Sequence, residues 1–217
     1  FHRDIKKTSF VSNSLIMIEV LILSFVQGVT EFIPVSSSSH LVILSEYLKF
    51  ENRSLSIDVS LHIGSFFAVL TFFYKDILNF IKNKELIFKI LISSIPVIIV
   101  GYILVQTNFI NKIRNLEVIA WMTIIFGILL YMSDRLKLEK NISNDFGYKS
   151  ALFIGISQIL SLVPGVSRSG IVMTAARILK FKRTDSAKIS FLLSIPTLGA
   201  VSIFGILNLI KENNFDF

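Results

Sequence analysis

Between Ile189 and Ile210 the chain carries no charged residue. A helix that crosses a bilayer needs about 20 mostly apolar residues, so this one run already points to a membrane. Three further segments read the same way: Ile57–Tyr74, Leu86–Val105 and Leu116–Met132. Composition agrees. Charged residues are 17% of the 217, apolar residues 53%, and mean hydropathy is +0.69. A soluble domain carries about 25% charged residues, so a soluble globule, a disordered tail and a fibre are excluded. Twenty Phe and a single Trp suit a lipid-facing chain. Cysteine is absent, which removes disulfides, zinc–thiolate sites and thiol catalysis. The net charge of +7 would suggest nucleic acid in a soluble protein. Here it reads as cytoplasmic-loop charge under the positive-inside rule, and nucleic acid is not an expected partner.

Residues 1–16 are mixed, partly charged and lack a signal-peptide cleavage pattern. They read as a non-native or disordered extension. Residues 17–217 read as a single integral membrane domain, truncated soon after its last apolar run.

Basic clusters orient the spans. Lys75, Lys82, Lys84 and Lys89 follow the first. Arg135, Lys137, Lys140 and Lys149 follow the third. Arg177, Lys180, Lys182, Arg183 and Lys188 precede the fourth. All three clusters belong on the cytoplasmic side, whereas the loop after the second span holds only Lys112 and Arg114.

Two apolar regions do not fit simple spans. Met17–Leu48 is interrupted by Glu31, Pro34, a serine run and His40, and Ser150–Leu179 by Pro164-Gly165 and Arg168. The stretch from Ser169 to Ala176 covers about 12 Å as a helix, less than half the ~30 Å core. Each region therefore enters and returns, the second from the cytoplasm and the first from the opposite face. Non-helical backbone at that depth needs protein cover or a wet cavity. The tips also echo each other: Pro34 with Pro164, Ser37 with Ser167, Ser39 with Ser169. A second echo joins Ser94-Ile-Pro96 to Ser194-Ile-Pro196. These features predict an all-α polytopic fold with inverted repeats and two re-entrant hairpins meeting near the midplane, where such folds place their binding sites.

Ionisable groups inside a membrane are costly and mark function. Gln27 and Glu31 are four apart and share a helix face. That donor pair suits Mg²⁺ or Ca²⁺, or else a hydrogen-bonded link between helices. Arg168 lies in Pro-Gly-Val-Ser-Arg-Ser-Gly. Gly165 and Gly170 allow close ligand approach, Ser167 and Ser169 offer hydroxyls, and a guanidinium forks onto two phosphate oxygens. The alternative for Arg168 is an internal pair with Glu31. Ser36–Ser39 precede His40, a hydroxyl nucleophile beside an imidazole base. His62 reads as a hydrogen-bonded interior residue, Asp58 as a cap or support, and Glu19 as an interfacial group. The set suits phosphate-ester or diphosphate hydrolysis at a membrane, or carriage of an anion.

Gln27-Gly-Val-Thr-Glu31-Phe-Ile-Pro-Val-Ser-Ser-Ser-Ser-His40-Leu and Pro164-Gly-Val-Ser-Arg-Ser-Gly170, extended by Ala187-Lys-Ile-Ser-Phe-Leu-Leu-Ser-Ile-Pro196, resemble the undecaprenyl-diphosphate phosphatase family of the bacitracin-resistance type. The resemblance runs from about Met17 to Ile210. It implies a multi-pass phosphatase of the bacterial plasma membrane that recycles the carrier lipid of cell-wall synthesis. It implies two re-entrant hairpins, inverted repeats and a divalent cation, Mg²⁺ or Ca²⁺. By position, Gln27 and Glu31 fill its Glu/Gln-xxx-Glu motif and would hold the cation. Ser36, Ser37 and His40 fill its Ser-Ser and His positions, and Ser167, Arg168 and Ser169 its Ser-Arg-Ser motif. Two departures stand out: Gln27 replaces a carboxylate, and Val172 stands where the family usually has Thr, with Thr174 nearby.

The expected roles follow. Glu31, Ser37, His40 and Arg168 are catalytic, with Ser37 or a water attacking phosphorus and His40 as base, or as acid for the leaving group. Ser36, Gly165, Ser167, Arg168 and Ser169 bind substrate. The partners are a polyprenyl diphosphate, membrane lipids and, as one arrangement, a second copy of the chain in a homodimer. The rival readings are a transporter or flippase for a phosphorylated lipid, and a non-catalytic interaction protein.

Overall fold

The computed structural model describes residues 2–213 except 51–54, 108 and 137–138, and within the first helix the described side chains begin at Ile16. α1 (His2–Thr30) and α2 (Ser37–Leu48) form a first hairpin. α3 (Leu55–Phe72) and the short α4 (Tyr74–Lys82) lead into α5 (Lys84–Gln106). One turn, α6 (Phe109–Ile113), precedes α7 (Leu116–Asp134). After α8 (Ile142–Asp145) comes a second hairpin: α9 (Tyr148–Gln158), a 3-10 turn (Ile159–Leu162) and α10 (Arg168–Ile178). α11 (Arg183–Asn213) follows. Among the described residues no strand forms, only an isolated bridge between Lys140 and Phe181.

Side-chain caps start the long helices. Asn83 accepts from Leu86 N at 3.1 Å and Asn115 from Val118 N at 2.9 Å, each satisfying an otherwise unpaired donor. α5, α7 and α11 are long and apolar enough to cross a membrane. The expected span Ile57–Tyr74 is realised as α3, whose described part, Ser56–Phe72, falls just below that length.

Contacts between chain segments sort the helix ends. Lys89 of α5 lies over the Tyr148 ring of α9, 5.4 Å from its centroid. Asp134, ending α7, is 2.9 Å from Arg177 of α10 and 2.5 Å from Arg183 of α11. Lys140 N donates to Lys180 O at 3.1 Å. All of these residues, and with them the described members of the three basic clusters, gather at one end of the bundle. At the other end, Asp58 of α3 faces Arg114, just before α7, at 3.9 Å. The base of the second hairpin is therefore at the basic end. The base of the first, where α2 leads into α3, is at the opposite end. At 1.5 Å per residue, the 12 residues of α2 and the 11 of α10 rise about 18 and 17 Å, roughly half a bilayer core.

The echo of tip motifs is thus matched by opposed hairpins. The Ser-Ile-Pro echo is not part of it. The tips recur from Ser37 to Ser167, whereas Ser94 and Ser194 recur at a shorter interval. The helix that follows the first tip is α3, as α11 follows the second; α5 is one span further on. The serines are local to their own helices, Ser94 Oγ bonding Ile90 O and Ser194 Oγ bonding Phe191 O.

Packing concentrates where the second hairpin needs support. Ile90, Ile154, Val172, Ala176, Ile189 and Leu193, from α5, α9, α10 and α11, form one buried cluster with Phe181 of the link between α10 and α11. A Cβ at Gly155 would stand 2.5 Å from Ser93 O, so α9 and α5 touch backbone to backbone. The first hairpin has a smaller core of Leu23, Leu41 and Leu61. Phe32, beyond α1, meets Phe191 of α11, which also meets Phe73, with centroids 5.9 and 4.8 Å apart. By contrast α7 exposes Trp121, Ile124, Ile128 and Met132. Such a face would be a liability in water and is ordinary in lipid.

Candidate active site

Each tip is built by local chemistry. In the second, Val166 N donates to Val163 O at 3.1 Å, closing a turn with Pro164 and Gly165 at its centre. Gly165 has φ +98, the conformation such a turn requires of its third residue, and presses against Ile119 O of α7. Thr123 Oγ1 donates to Gly165 O at 3.3 Å. Ser167 then caps α10, accepting from Gly170 N at 3.2 Å, and this aims Arg168 out of the first turn. In the first tip, α1 stops at Thr30 and α2 starts after Ser36, with Ser39 Oγ donating to Ser36 Oγ at 2.8 Å.

The two tips are joined. Arg168 Nη2 donates to Glu31 Oε1 at 3.0 Å, and Ser169 Oγ donates to Ile33 O at 2.9 Å. Glu31 is buried and centres the network. Its Oε2 accepts from Ser37 Oγ at 2.7 Å and from Gln27 Nε2 at 3.0 Å. Gln27 Nε2 also lies 3.3 Å from His62 Nδ1 and 3.4 Å from Ser65 Oγ, both on α3. Arg168 Nη1 is buried without a hydrogen-bond partner. An uncompensated guanidinium N–H is expensive to bury, so Nη1 is the Arg168 group that a ligand oxygen would best satisfy.

These groups border a cavity of about 190 Å³. Glu31, Ser36, Ser37, His62, Ser167 and Arg168 line its polar side, and Val35, Val166, Leu198 and Val201 its apolar side. Drug-sized ligands occupy about 300–1,000 Å³, so this space suits an anionic headgroup and not a whole lipid. A cation, a hydroxyl held by a carboxylate and apolar walls together suit a phosphate group carried on an apolar tail.

A family model described as bacitracin resistance protein BacA matches residues 20–216. The chain belongs to the BacA family. An undecaprenyl-diphosphatase of Pelagibacter ubique (strain HTCC1062) is 47% identical over 198 residues, covering 91% of this chain and 77% of the relative. One of Jannaschia sp. (strain CCS1) is 37% identical over 198 residues, covering 85% and 74%. One of Saccharophagus degradans is 37% identical over 214 residues, covering 93% and 80%. Family and apolar helices together make this BacA-family chain an all-α membrane protein.

Within this BacA-family site the residues expected from sequence mostly converge. Glu31, Ser36, Ser37, Ser167 and Arg168 border one cavity, and Ser169 ties the tips behind it. Arg168 makes the internal pair with Glu31, and both side chains border the cavity. Gly165 shapes the turn from the far side. His40 is not brought to Ser37. It stands four residues after Ser36 on the same helix, so its Nδ1 closes 2.7 Å onto Ser36 O, and its side chain is outside the cavity. The group that Ser37 Oγ meets is the Glu31 carboxylate.

The cation pair also differs from expectation. Gln27 turns its nitrogen to Glu31, and its Oε1 is buried without a partner. The two residues do not offer two oxygens to one point, and among the described residues no cluster of three His, Asp or Glu gathers elsewhere. Glu31 alone fits a cation in the manner of Mg²⁺, which takes one carboxylate and completes its shell with water and substrate phosphate. The sequence reading left out Thr197, which also borders the cavity, and ranked His62 as interior. Pro196 inside an apolar run was the one available signal for the first.

Proposed function

We propose that this chain is an undecaprenyl-diphosphatase, hydrolysing undecaprenyl diphosphate to undecaprenyl phosphate and inorganic phosphate. It thereby recycles the carrier lipid for peptidoglycan synthesis and confers bacitracin resistance. It works as a multi-pass protein of the bacterial plasma (inner) membrane, with both tips re-entrant near the midplane and the isoprenoid tail in lipid. The observation that carries this reading is Ser37 Oγ held 2.7 Å from a carboxylate that is itself paired with Arg168. The curated relatives bear the corresponding name. A flippase has no need of a hydroxyl so prepared.

Serine is a weak nucleophile until a base takes its proton. In the proposed reaction the diphosphate draws Arg168 away from Glu31, whose freed carboxylate accepts the Ser37 proton. Ser37 Oγ attacks the terminal phosphorus and the bridging P–O bond breaks, releasing undecaprenyl phosphate. Water then cleaves the phosphoserine, returning the hydroxyl and releasing inorganic phosphate. Arg168 follows the charge that develops on the phosphoryl oxygens, and such positioning and charge stabilisation are most of phosphoryl-transfer catalysis. Ser36, Ser167 and Ser169 hold the tip geometry and offer hydroxyls to the phosphates. A divalent cation would be met by Glu31 and would supply charge neutralisation on the diphosphate.

The test is phosphate release from undecaprenyl diphosphate by full-length protein in detergent, with Mg²⁺ or Ca²⁺ and with EDTA. Arg168→Ala should lower kcat about 10²–10³-fold, by analogy with loss of one oxyanion donor. A folded wild-type protein that releases no phosphate, or an Arg168→Ala variant with normal turnover, refutes the proposal.

A further inference from the structure

His62, the third histidine of the chain, borders the cavity. Its chemistry follows from Gln27. The Gln27 amide group lies 3.0 Å from Glu31 Oε2, and two oxygens at that separation would repel, so the nitrogen faces the carboxylate. That nitrogen has two protons. One goes to Glu31, and the other is shared between His62 Nδ1 at 3.3 Å and Ser65 Oγ at 3.4 Å; an amide nitrogen cannot accept in return. Nδ1 therefore accepts, and the single proton of a neutral imidazole is left on Nε2. Gln27 is only 1% exposed and sits behind the ring. His62 lines the cavity together with Ser37 and Arg168, and Nε2–H is the polar ring group that the contact with Gln27 leaves for it.

We infer that His62 is a substrate-binding residue, a neutral N–H donor to a phosphate oxygen of the bound diphosphate, with Gln27 as the residue that fixes its tautomer. This rests on the diphosphatase reading above. It gives the glutamine a reason to stand where a second carboxylate would otherwise be. A carboxylate there would accept from Nδ1–H and turn the lone pair of Nε2, not its proton, toward the phosphates. The site thus binds a polyanion with one cation, Arg168, and one oriented neutral donor.

Two measurements on the full-length protein in detergent test this. The first is ¹⁵N-histidine NMR, with the His62 signal assigned by its loss in His62→Gln. Wild type should show the Nε2–H tautomer at neutral pH, and inorganic pyrophosphate should shift that nitrogen; an Nδ1–H tautomer, or no response to pyrophosphate, overturns the inference. The second is kinetic. His62→Phe should raise KM for the prenyl diphosphate about tenfold with a smaller change in kcat, and His62→Gln, which keeps an N–H donor, should restore most of it. Equal defects in Phe and Gln variants, or none in either, overturn it. A wild type that binds pyrophosphate at His62 yet releases no phosphate would sink the hydrolase reading and leave the donor role standing.

Discussion

At the scale of single residues, the site is a carboxylate with three partners, and each partner can be removed separately. Ser37→Ala should reduce turnover to the uncatalysed background and abolish any phosphoserine trapped by acid quench. Retained phosphoserine in that variant would move the nucleophile elsewhere. Gly165 is the most exacting backbone position. Its φ of +98 costs any other residue about 1–3 kcal/mol, and a Cβ would stand 2.6 Å from Ile119 O. Gly165→Ala should lower the thermal midpoint in detergent and cut activity, because the turn that presents Arg168 has to shift. Most of this site was legible in the chain. Glu31, Ser37 and Arg168 are polar residues in apolar runs, and the expense of burying them singled them out. Spacing does not reveal that His62 borders the cavity while His40 turns to Ser36 O. A histidine four residues into a helix can satisfy itself on its own backbone, whereas His62 depends on a glutamine 35 positions away.

At the scale of elements, the half-length arms of the hairpins hold position only because their far ends are tied. α10 is tied by Arg177, almost fully buried, which donates to Asp134 O at 2.6 Å and to Phe181 O at 3.1 Å. The clasp joins the ends of α7, α10 and α11 and sits one helix away from Arg168. Arg177→Ala should destabilise the protein by about 2 kcal/mol, a midpoint lower by about 4–8 °C, since Asp134 keeps Arg183 as a partner. Its activity should fall mainly through loss of folded protein, and Arg177→Lys should recover only part, lacking the fork. An unchanged midpoint for Arg177→Ala would show the clasp to be dispensable. The hairpins themselves could be read from length arithmetic and Pro-Gly placement. The Ser-Ile-Pro echo misled because short motifs recur by chance in Ile- and Ser-rich helices, and only pairing in space separates them.

At the scale of the molecule, the described members of all three basic clusters lie toward one end and the first hairpin's base toward the other. Single cysteines replacing Lys182 and Arg114 should be labelled by impermeant reagents from opposite faces of oriented vesicles, position 182 from the cytoplasmic side. Labelling of both from one face would contradict the topology. The halves of the chain meet at the tips through Arg168 and Glu31, the same two side chains that the phosphates separate in the proposed reaction. In that reaction Glu31 acts as a tethered competitor, an anion of the protein's own that holds Arg168 Nη2 whenever no phosphate does. Such a device weakens the grip on substrate and on the product phosphate alike, and so exchanges affinity for rapid clearance of the site. Its signature is that Glu31→Gln, though unable to turn over, should hold the diphosphate more tightly than the wild type does.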